Sequence, residues 1–497
     1  MLSKSLGFVR DWRLEVVAFL VGMTILAFEL TASRIVAPYL GASIYTWTSI
    51  IGVIMGALAA GYAIGGVLAD RYKRIEHIVW LLLGAAACIA IVNLSKDTML
   101  SSVTAWFSSL QTQAFWASML LFVVPTVCMG AIMPYLTKLN ITDLGSSGQK
   151  VSRIDAASTI GSIAGTFLTG YVLFELIGTP RMLTLLSITL VLASFLLVRR
   201  RLLWVRLAVL TIVVLPGFFP TTPKVSGFKH EEDTAYARII IRDVPFYQHD
   251  VRVLQSDSQG VQSGVRTDGS KELVMPYVQN FSYISEVKPD ARRHLIIGGG
   301  AFTFPEHLAR KYPKSHVDVV EIDGKLADIS RRHFNFEPTG NLSVIPADGR
   351  QFLNKNQTAY STIFLDAFNA IVPPFQLMTR QAVQEMHRSL ETDGVVAANV
   401  LGSPEGHGKQ LVQAAYSTFA ATFKHVGVYQ VAPMDGQSST QNMMIVASDD
   451  PRTESRLAER LRAHVELDHM RMTKLPFRAS DRLVMHDDFA PVERYSQ

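Results

Sequence analysis

The feature that most restricts this chain is where its apolar residues fall. Nearly every long apolar run lies before about residue 220, and the remainder alternates charged and apolar residues as a globular protein does. A helix needs about 20 mainly apolar residues to cross a bilayer. Six stretches meet or approach that length: roughly Leu14 to Pro38, Tyr45 to Ala69, Ile75 to Leu94, Gln113 to Leu136, Ile154 to Leu176 and Met182 to Val198. The first is too long, and too closely followed by another, for a cleaved signal peptide. A seventh run, Leu202 to Phe219, carries Arg206 and closes on Pro216 and Pro220; it is expected to lie at the interface or re-enter. With 49% hydrophobic residues, more than one soluble domain uses, the 497 residues divide into a membrane half and a soluble half.

Basic residues mark the N-terminus (Lys4, Arg10, Arg13) and alternate loops (Arg71, Lys73, Arg74; Lys138, Lys150, Arg153; Arg199 to Arg201). Cytoplasmic loops carry such an excess. With six crossings, the N-terminus and the soluble half then both face the cytoplasm from a bacterial-type inner membrane, with lipid as a partner. The net charge of +5 follows these clusters rather than one helical face, so no nucleic-acid partner is expected. The two cysteines, Cys88 and Cys128, sit in apolar runs and the 13 histidines show no ligand spacing, so neither a disulfide framework nor a metal is expected.

Within the apolar runs, Gly52, Gly56 and Ala60, Gly61 with Gly65, and Gly161 with Gly165 recur at the every-fourth spacing of close helix contacts in lipid. Glu29 and Arg34 share the first run and Asp155 opens the fifth. They read equally as an ion pair locking helices and as a polar pocket.

Beyond the membrane half, residues 221–290 contain alternating runs such as YARIIIRDV and VRVLQSD, the mark of a small β-rich lead-in. Over 291–497, strand-like and helix-like segments alternate: RHLIIG, Phe304 to Lys311, HVDVVEID, Lys325 to Phe334, LSVIP, STIFLD, Thr379 to Leu390 and GVVAANV. This rhythm predicts an α/β, Rossmann-like doubly wound parallel sheet. HVGVYQVA and QNMMIVAS, joined by a Pro, Asp, Gly and Ser-rich turn, predict a closing hairpin like that of class I methyltransferase sheets.

In such sheets the ligand lies across the carboxyl ends of the strands. The first strand ends at Gly298, Gly299 and Gly300, where backbone N–H groups can approach a ligand. The second ends at Glu321, 23 residues after Gly298 and near the spacing at which an acid accepts from ribose hydroxyls. The third ends at Ala347, Asp348 and Gly349, placing a carboxylate where an adenine amino group could donate. The fourth ends at Asp366, which opens the loop Ala367 to Pro374. An NAD site fits less well, because Thr303 stands at the third glycine of the dinucleotide fingerprint.

At these residues the chain resembles the spermidine synthase (polyamine aminopropyltransferase) family, in particular its membrane-fused bacterial relatives. FELTASRIVAPYLGAS, GAIMPYLTKL and IDAASTIGSIAGTFLTGYVL resemble the fused family's helices; LIIGGG, VVEID, ADGR, the LDAF to LMT stretch and HDDFAPVE resemble its catalytic part. The resemblance implies that Glu321 holds the ribose, that Asp348 lies by the adenine, and that Asp366 is the acid or base beside the amine being alkylated. Decarboxylated S-adenosylmethionine or S-adenosylmethionine would be the group donor, without a metal, and a small-molecule amine the acceptor. A homodimer stays open.

The chain also departs from the pattern. Soluble synthases read GGGDGG where this chain has Ala301, Phe302 and Thr303, and the second acid of their DSSDP loop corresponds to Asn369. Two carboxylates that would grip a cationic substrate are therefore absent, and Asp487 and Asp488 either restore the charge by folding over the site or form a solvated turn. Three functions follow as alternatives: aminopropyl transfer to a polyamine or related amine, S-adenosylmethionine-dependent methyl transfer to a small or membrane-associated acceptor, and non-catalytic sensing or transport.

Overall fold

The computed structural model describes residues 2–41, 43–141, 147–198, 202–218, 226–246, 249–256, 261–368, 373–406, 408–431, 441–463 and 472–496. The chain divides into two compact units, 1–223 with 232–238 and 224–231 with 239–497.

The first unit is helical: α1 (Leu2–Leu40), α2 (Ile44–Arg71), α3 (Ile75–Trp106), α4 (Leu110–Asn140), α5 (Ser147–Leu168), continued by a π-helical turn and the short α6 (Phe174–Leu176), then α7 (Thr179–Leu197) and α8 (Leu203–Phe218). Six of these helical segments, between Trp12 and Leu197, are long and apolar enough to cross a membrane. Polar caps start two of them, since Ser43 accepts from Thr46 N–H and Ser109 from Thr112 N–H. The expected end of α3 at Leu94 is exceeded, because the more polar stretch to Trp106 stays helical.

The glycine spacing is read correctly in part. A Cβ on Gly65 would lie 2.3 Å from the Ala131 carbonyl oxygen, and one on Gly161 2.0 Å from that of Phe19, so α2 packs on α4 and α5 on α1 at backbone distance. Gly52 and Gly56 differ from the expectation, having nothing within 4 Å of a Cβ. The buried stripe of α2 runs through Val53, Ala57, Gly61 and Gly65, so the glycines one position earlier face outward. The Arg34 guanidinium donates to the Thr234 carbonyl at 2.5 Å and lies over the Phe174 ring, 4.4 Å from its centroid.

The seventh apolar run forms α8, whose 16 residues span ~24 Å at ~1.5 Å per residue, short of the ~30 Å hydrocarbon core. Arg206 is fully buried there, donating to the carbonyls of Val198 (2.6 Å) and Ser194 (2.9 Å). These acceptors lie at the end of α7, so the two terminal nitrogens of a cation set in an apolar run are met by the neighbouring helix terminus.

The second unit opens with the lead-in strands β1 (Phe228–Asp233), β2 (Arg238–Phe246), β3 (His249–Ser256) and β4 (Val261–Arg266), which form a sheet in sequential order, followed by α9 (Pro276–Ser285). Next come β5 (Arg293–Ile297), α10 (Thr303–Lys311), β6 (His316–Glu321), α11 (Lys325–His333), β7 (Leu342–Pro346), α12 (Gly349–Lys355), β8 (Tyr360–Leu365), α13 (Arg380–Arg388), β9 (Leu390–Gly402), α14 (Lys409–Ala420), β10 (His425–Val431), β11 (Gln441–Ser448), α15 (Thr453–Ala463), β12 (Met472–Leu475) and α16 (Val492–Tyr495). The eight-stranded sheet has the order β12-β10-β11-β9-β8-β5-β6-β7. Its centre is parallel, β10 and β11 form the expected antiparallel hairpin, and the turn that joins them lies outside the described residues. From β5 the chain moves outward through β6 and β7, then returns to the other side of β5 as β8. The topological switch point therefore lies between the carboxyl ends of β5 and β8.

A side chain added at Gly65 must push α2 off α4, whereas one at Gly56 meets open space. Gly65→Val is expected to destabilise the detergent-solubilised protein by about 1–3 kcal/mol, the usual range for overpacking. Gly56→Val should melt with the parent; equal melting of both variants would refute the packing assignment.

Candidate functional site

At the switch point the backbones of two strand ends touch. Gly298 has φ +100°, and a Cβ there would lie 2.2 Å from the Asp366 carbonyl oxygen, so only glycine allows this approach. Hydrogen bonds from Gly298 N–H to Val320 O (2.9 Å) and from Asp366 N–H to Ile297 O (2.8 Å) continue the sheet to this point.

Beyond it the chain turns over the end of β6. Gly299 N–H donates to Glu321 Oε2 at 2.7 Å, and Asp323 N–H donates to Oε1 at 2.9 Å. Glu321 is 8% exposed, and burial raises its pKa while these backbone donors oppose the shift. Ile322, next in sequence, is 43% exposed, an apolar surface beside the carboxylate suited to the face of a nucleoside. Gly300 (φ +52°) brings the turn against Ser263 of β4, whose Oγ accepts from Ala301 N–H at 3.2 Å.

Phe302, where soluble synthases carry a glycine, takes the left-handed φ of 57°. That conformation is costly for a bulky residue. Its ring is fully buried, stacks on Phe336 with centroids 4.8 Å apart and covers Gly299, so packing holds what glycine would adopt freely.

Asp366 directly follows β8 and is half-buried there. Asn399, near the end of β9, donates to Asp366 Oδ1 at 3.0 Å. The buried Tyr277 of α9 donates its single hydroxyl proton to the Gln262 carbonyl at 2.6 Å, and the polar hydroxyl lies near the Asp366 carboxylate. Burial dominates these bonds, and with the nearby negative charge of Glu321 it pushes the Asp366 carboxyl up to about 6. Burial likewise raises the Tyr277 phenol well above its usual range, so it stays a neutral donor. A carboxyl of this kind changes charge close to neutral pH, as a proton acceptor must.

Gly298, Gly299, Glu321 and Asp366 thus converge. Asp348 and Gly349 follow β7 at the start of α12: Asp348 Oδ1 caps this helix by accepting from Gln351 N–H at 2.9 Å, and Gly349 packs on Ile297. Asp487 folds back onto Arg350 of α12, while Asp488 is exposed. Asn369 lies outside the described residues. Gln262, Ser263, Tyr277 and Asn399 were not anticipated. Asn399 carries a legible signal, a polar residue in the otherwise apolar end of GVVAANV, whereas the other three come from the lead-in and α9 and reach the crevice only through the tertiary fold.

Residues 280–455 match the spermine/spermidine synthase domain. A polyamine aminopropyltransferase of Vibrio vulnificus is 34% identical over 181 residues, 35% of this chain and 59% of the relative. A probable polyamine aminopropyl transferase of Bifidobacterium longum is 28% identical over 250 residues, 47% of this chain and 55% of the relative. Putrescine N-methyltransferase 1 of Nicotiana tabacum is 34% identical over 116 residues, 22% of this chain and 30% of the relative. The chain therefore spans little more than half the length of the first two relatives.

The raised Asp366 pKa has a thermodynamic consequence. Between its ordinary value of 3.8 and about 6 the folded state holds a proton that the unfolded state has lost, so this group's contribution to stability falls as pH rises through that window. Asp366→Asn is expected to melt at higher temperature than the parent at pH 7.5, with the gain largely gone at pH 4. An equal or lower melting temperature at pH 7.5 would contradict a charge held against burial.

Proposed function

We propose that this chain, whose residues 280–455 carry a spermine/spermidine synthase domain, is a membrane-tethered transferase that moves an aminopropyl group from decarboxylated S-adenosylmethionine to a polyamine or related amine. Residues 1–220 act as the tether, 221–290 as the lead-in that supplies Ser263 and Tyr277, and 291–497 as the catalytic part. The observation that carries this reading is geometric: Asp366 stands at the sheet's switch point with its carboxyl bonded to Asn399, where the glycine turn that holds Glu321 passes its backbone.

In this reading Glu321 accepts hydrogen bonds from the ribose hydroxyls, Asp348 faces the adenine amino group, and the glycine turn passes beneath the nucleoside. The acceptor amine must be neutral to attack. Asp366 orients it and takes the proton its nitrogen loses as the new C–N bond forms and the carbon–sulfur bond breaks, with methylthioadenosine leaving. The sulfonium is already an activated leaving group, so the residues supply orientation and a proton acceptor. Asp488 is the remaining tail carboxylate available to a distal ammonium group.

A second reading keeps the site and transfers methyl from S-adenosylmethionine. Ala301 favours it, since no carboxylate follows the three glycines to repel the donor's own carboxylate, and so does the similarity to a plant putrescine N-methyltransferase. The products decide between them: with both donors and a panel of amines, methylthioadenosine marks aminopropyl transfer and S-adenosylhomocysteine marks methyl transfer.

The length of α8 supports a reading of sidedness in which it does not cross. With six crossings the basic loops and the transferase unit share the cytoplasmic face of an inner membrane. A reporter fused after Gln497 is expected to read inside; an outside signal would make α8 a seventh crossing.

Asp366→Asn is expected to abolish turnover while nucleotide affinity stays within about twofold, and the parent's kcat/KM should fall tenfold per pH unit below about 6. Unchanged turnover would remove the proton-acceptor role. Glu321→Ala should weaken nucleotide binding by about 1–3 kcal/mol, the cost of losing hydrogen bonds to a charged partner. Calorimetry showing equal affinity would exclude the ribose contact.

A further inference from the structure

Arg350, in the first turn of α12, has a side chain only 15% exposed. Its guanidinium donates to the Gln376 carbonyl at 3.2 Å, to Thr379 Oγ1 at 3.2 Å and to Asp487 Oδ2 at 2.8 Å. The other Asp487 oxygen accepts from the Thr379 hydroxyl at 2.6 Å. Asp487 lies 137 positions beyond Arg350 in sequence, and backbone groups bring it there. Arg380 N–H donates to Met485 O at 2.7 Å, and Asp487 N–H donates to Gln381 Oε1 at 3.2 Å.

Helix α12 has only seven residues. A helix this short does not hold itself in water, so its direction is set by what grips its ends. At its N-terminal end the grips are the Asp348 cap, the packing of Gly349 on Ile297, and Arg350. Arg350 and Asp348 are two residues apart, so whatever fixes the Arg350 guanidinium also fixes the turn from which the Asp348 carboxylate projects.

We propose that Asp487 is a positioning residue for adenine recognition: through Arg350 it sets the first turn of α12, and with it the direction of the Asp348 carboxylate toward the base. This rests on Asp348 facing the adenine. The C-terminal tail thereby becomes a working part of the nucleotide site although Asp487 itself touches no nucleotide.

Two probes test it on the full chain in detergent, 5′-methylthioadenosine and its hypoxanthine counterpart 5′-methylthioinosine, each titrated by calorimetry. The adenine amino group donates to a carboxylate, whereas hypoxanthine presents an acceptor oxygen at that position and is rejected. The parent is expected to prefer the adenine probe, and Asp348→Asn, which preserves the helix cap, to lose that preference. Asp487→Asn should reduce the preference about fivefold, the upper end for a half-exposed ion pair, with hypoxanthine affinity unchanged; Asp487→Glu should restore it. Equal weakening of both probes, the mark of a merely structural role, or an unchanged preference in Asp487→Asn overturns the proposal. If Asp348→Asn keeps the parent's preference, the Asp348 reading itself is wrong and the proposal falls with it.

Discussion

The contact on which the α/β unit depends is the approach of Gly298 to the Asp366 carbonyl, where the first and fourth strands of the parallel sheet end side by side. A parallel sheet that grows outward from its first strand and then resumes on the other side leaves a crevice at that point. Two chemically different ends meet there: a glycine turn, whose N–H groups are free to organise a carboxylate, and a carboxyl held where burial opposes its ionisation. The two sides of the proposed site follow from this one adjacency, since Glu321 is bonded to the turn and Asp366 to Asn399.

Much of this was legible in the sequence because parallel strands buried on both faces read as short apolar runs, and the residues that end them stand out by contrast. The glycines at 298–300, Glu321, Asp348 and Asp366 are such residues. Tyr277 and Ser263 are different: each lies in a segment whose pattern states only strand or helix, and their value comes from where the lead-in and α9 pack. Asp487 was legible as an acid near the end of the chain but not as Arg350's partner, because a pairing across 137 positions leaves no local trace.

The helical unit shows the same division. Apolar length marked six crossing-length helices, since bilayer thickness sets a physical minimum that sequence must meet. Which small residues touch was less readable, because Gly52 and Gly61 belong to stripes that differ by one position and a helix turns 100° per residue. Arg206 explains why an apolar run can hold a cation: the carbonyls that end α7 lie within its reach.

The Gly299 to Glu321 bond has a consequence for occupancy. The turn is tied to the acid at the end of β6, and the buried Phe302 ring bars the looser conformations a glycine there would sample. In the proposed reading, a nucleoside at this crevice meets a turn already fixed by its own bonds, so little chain entropy is surrendered on capture and more of the contact energy remains for holding it.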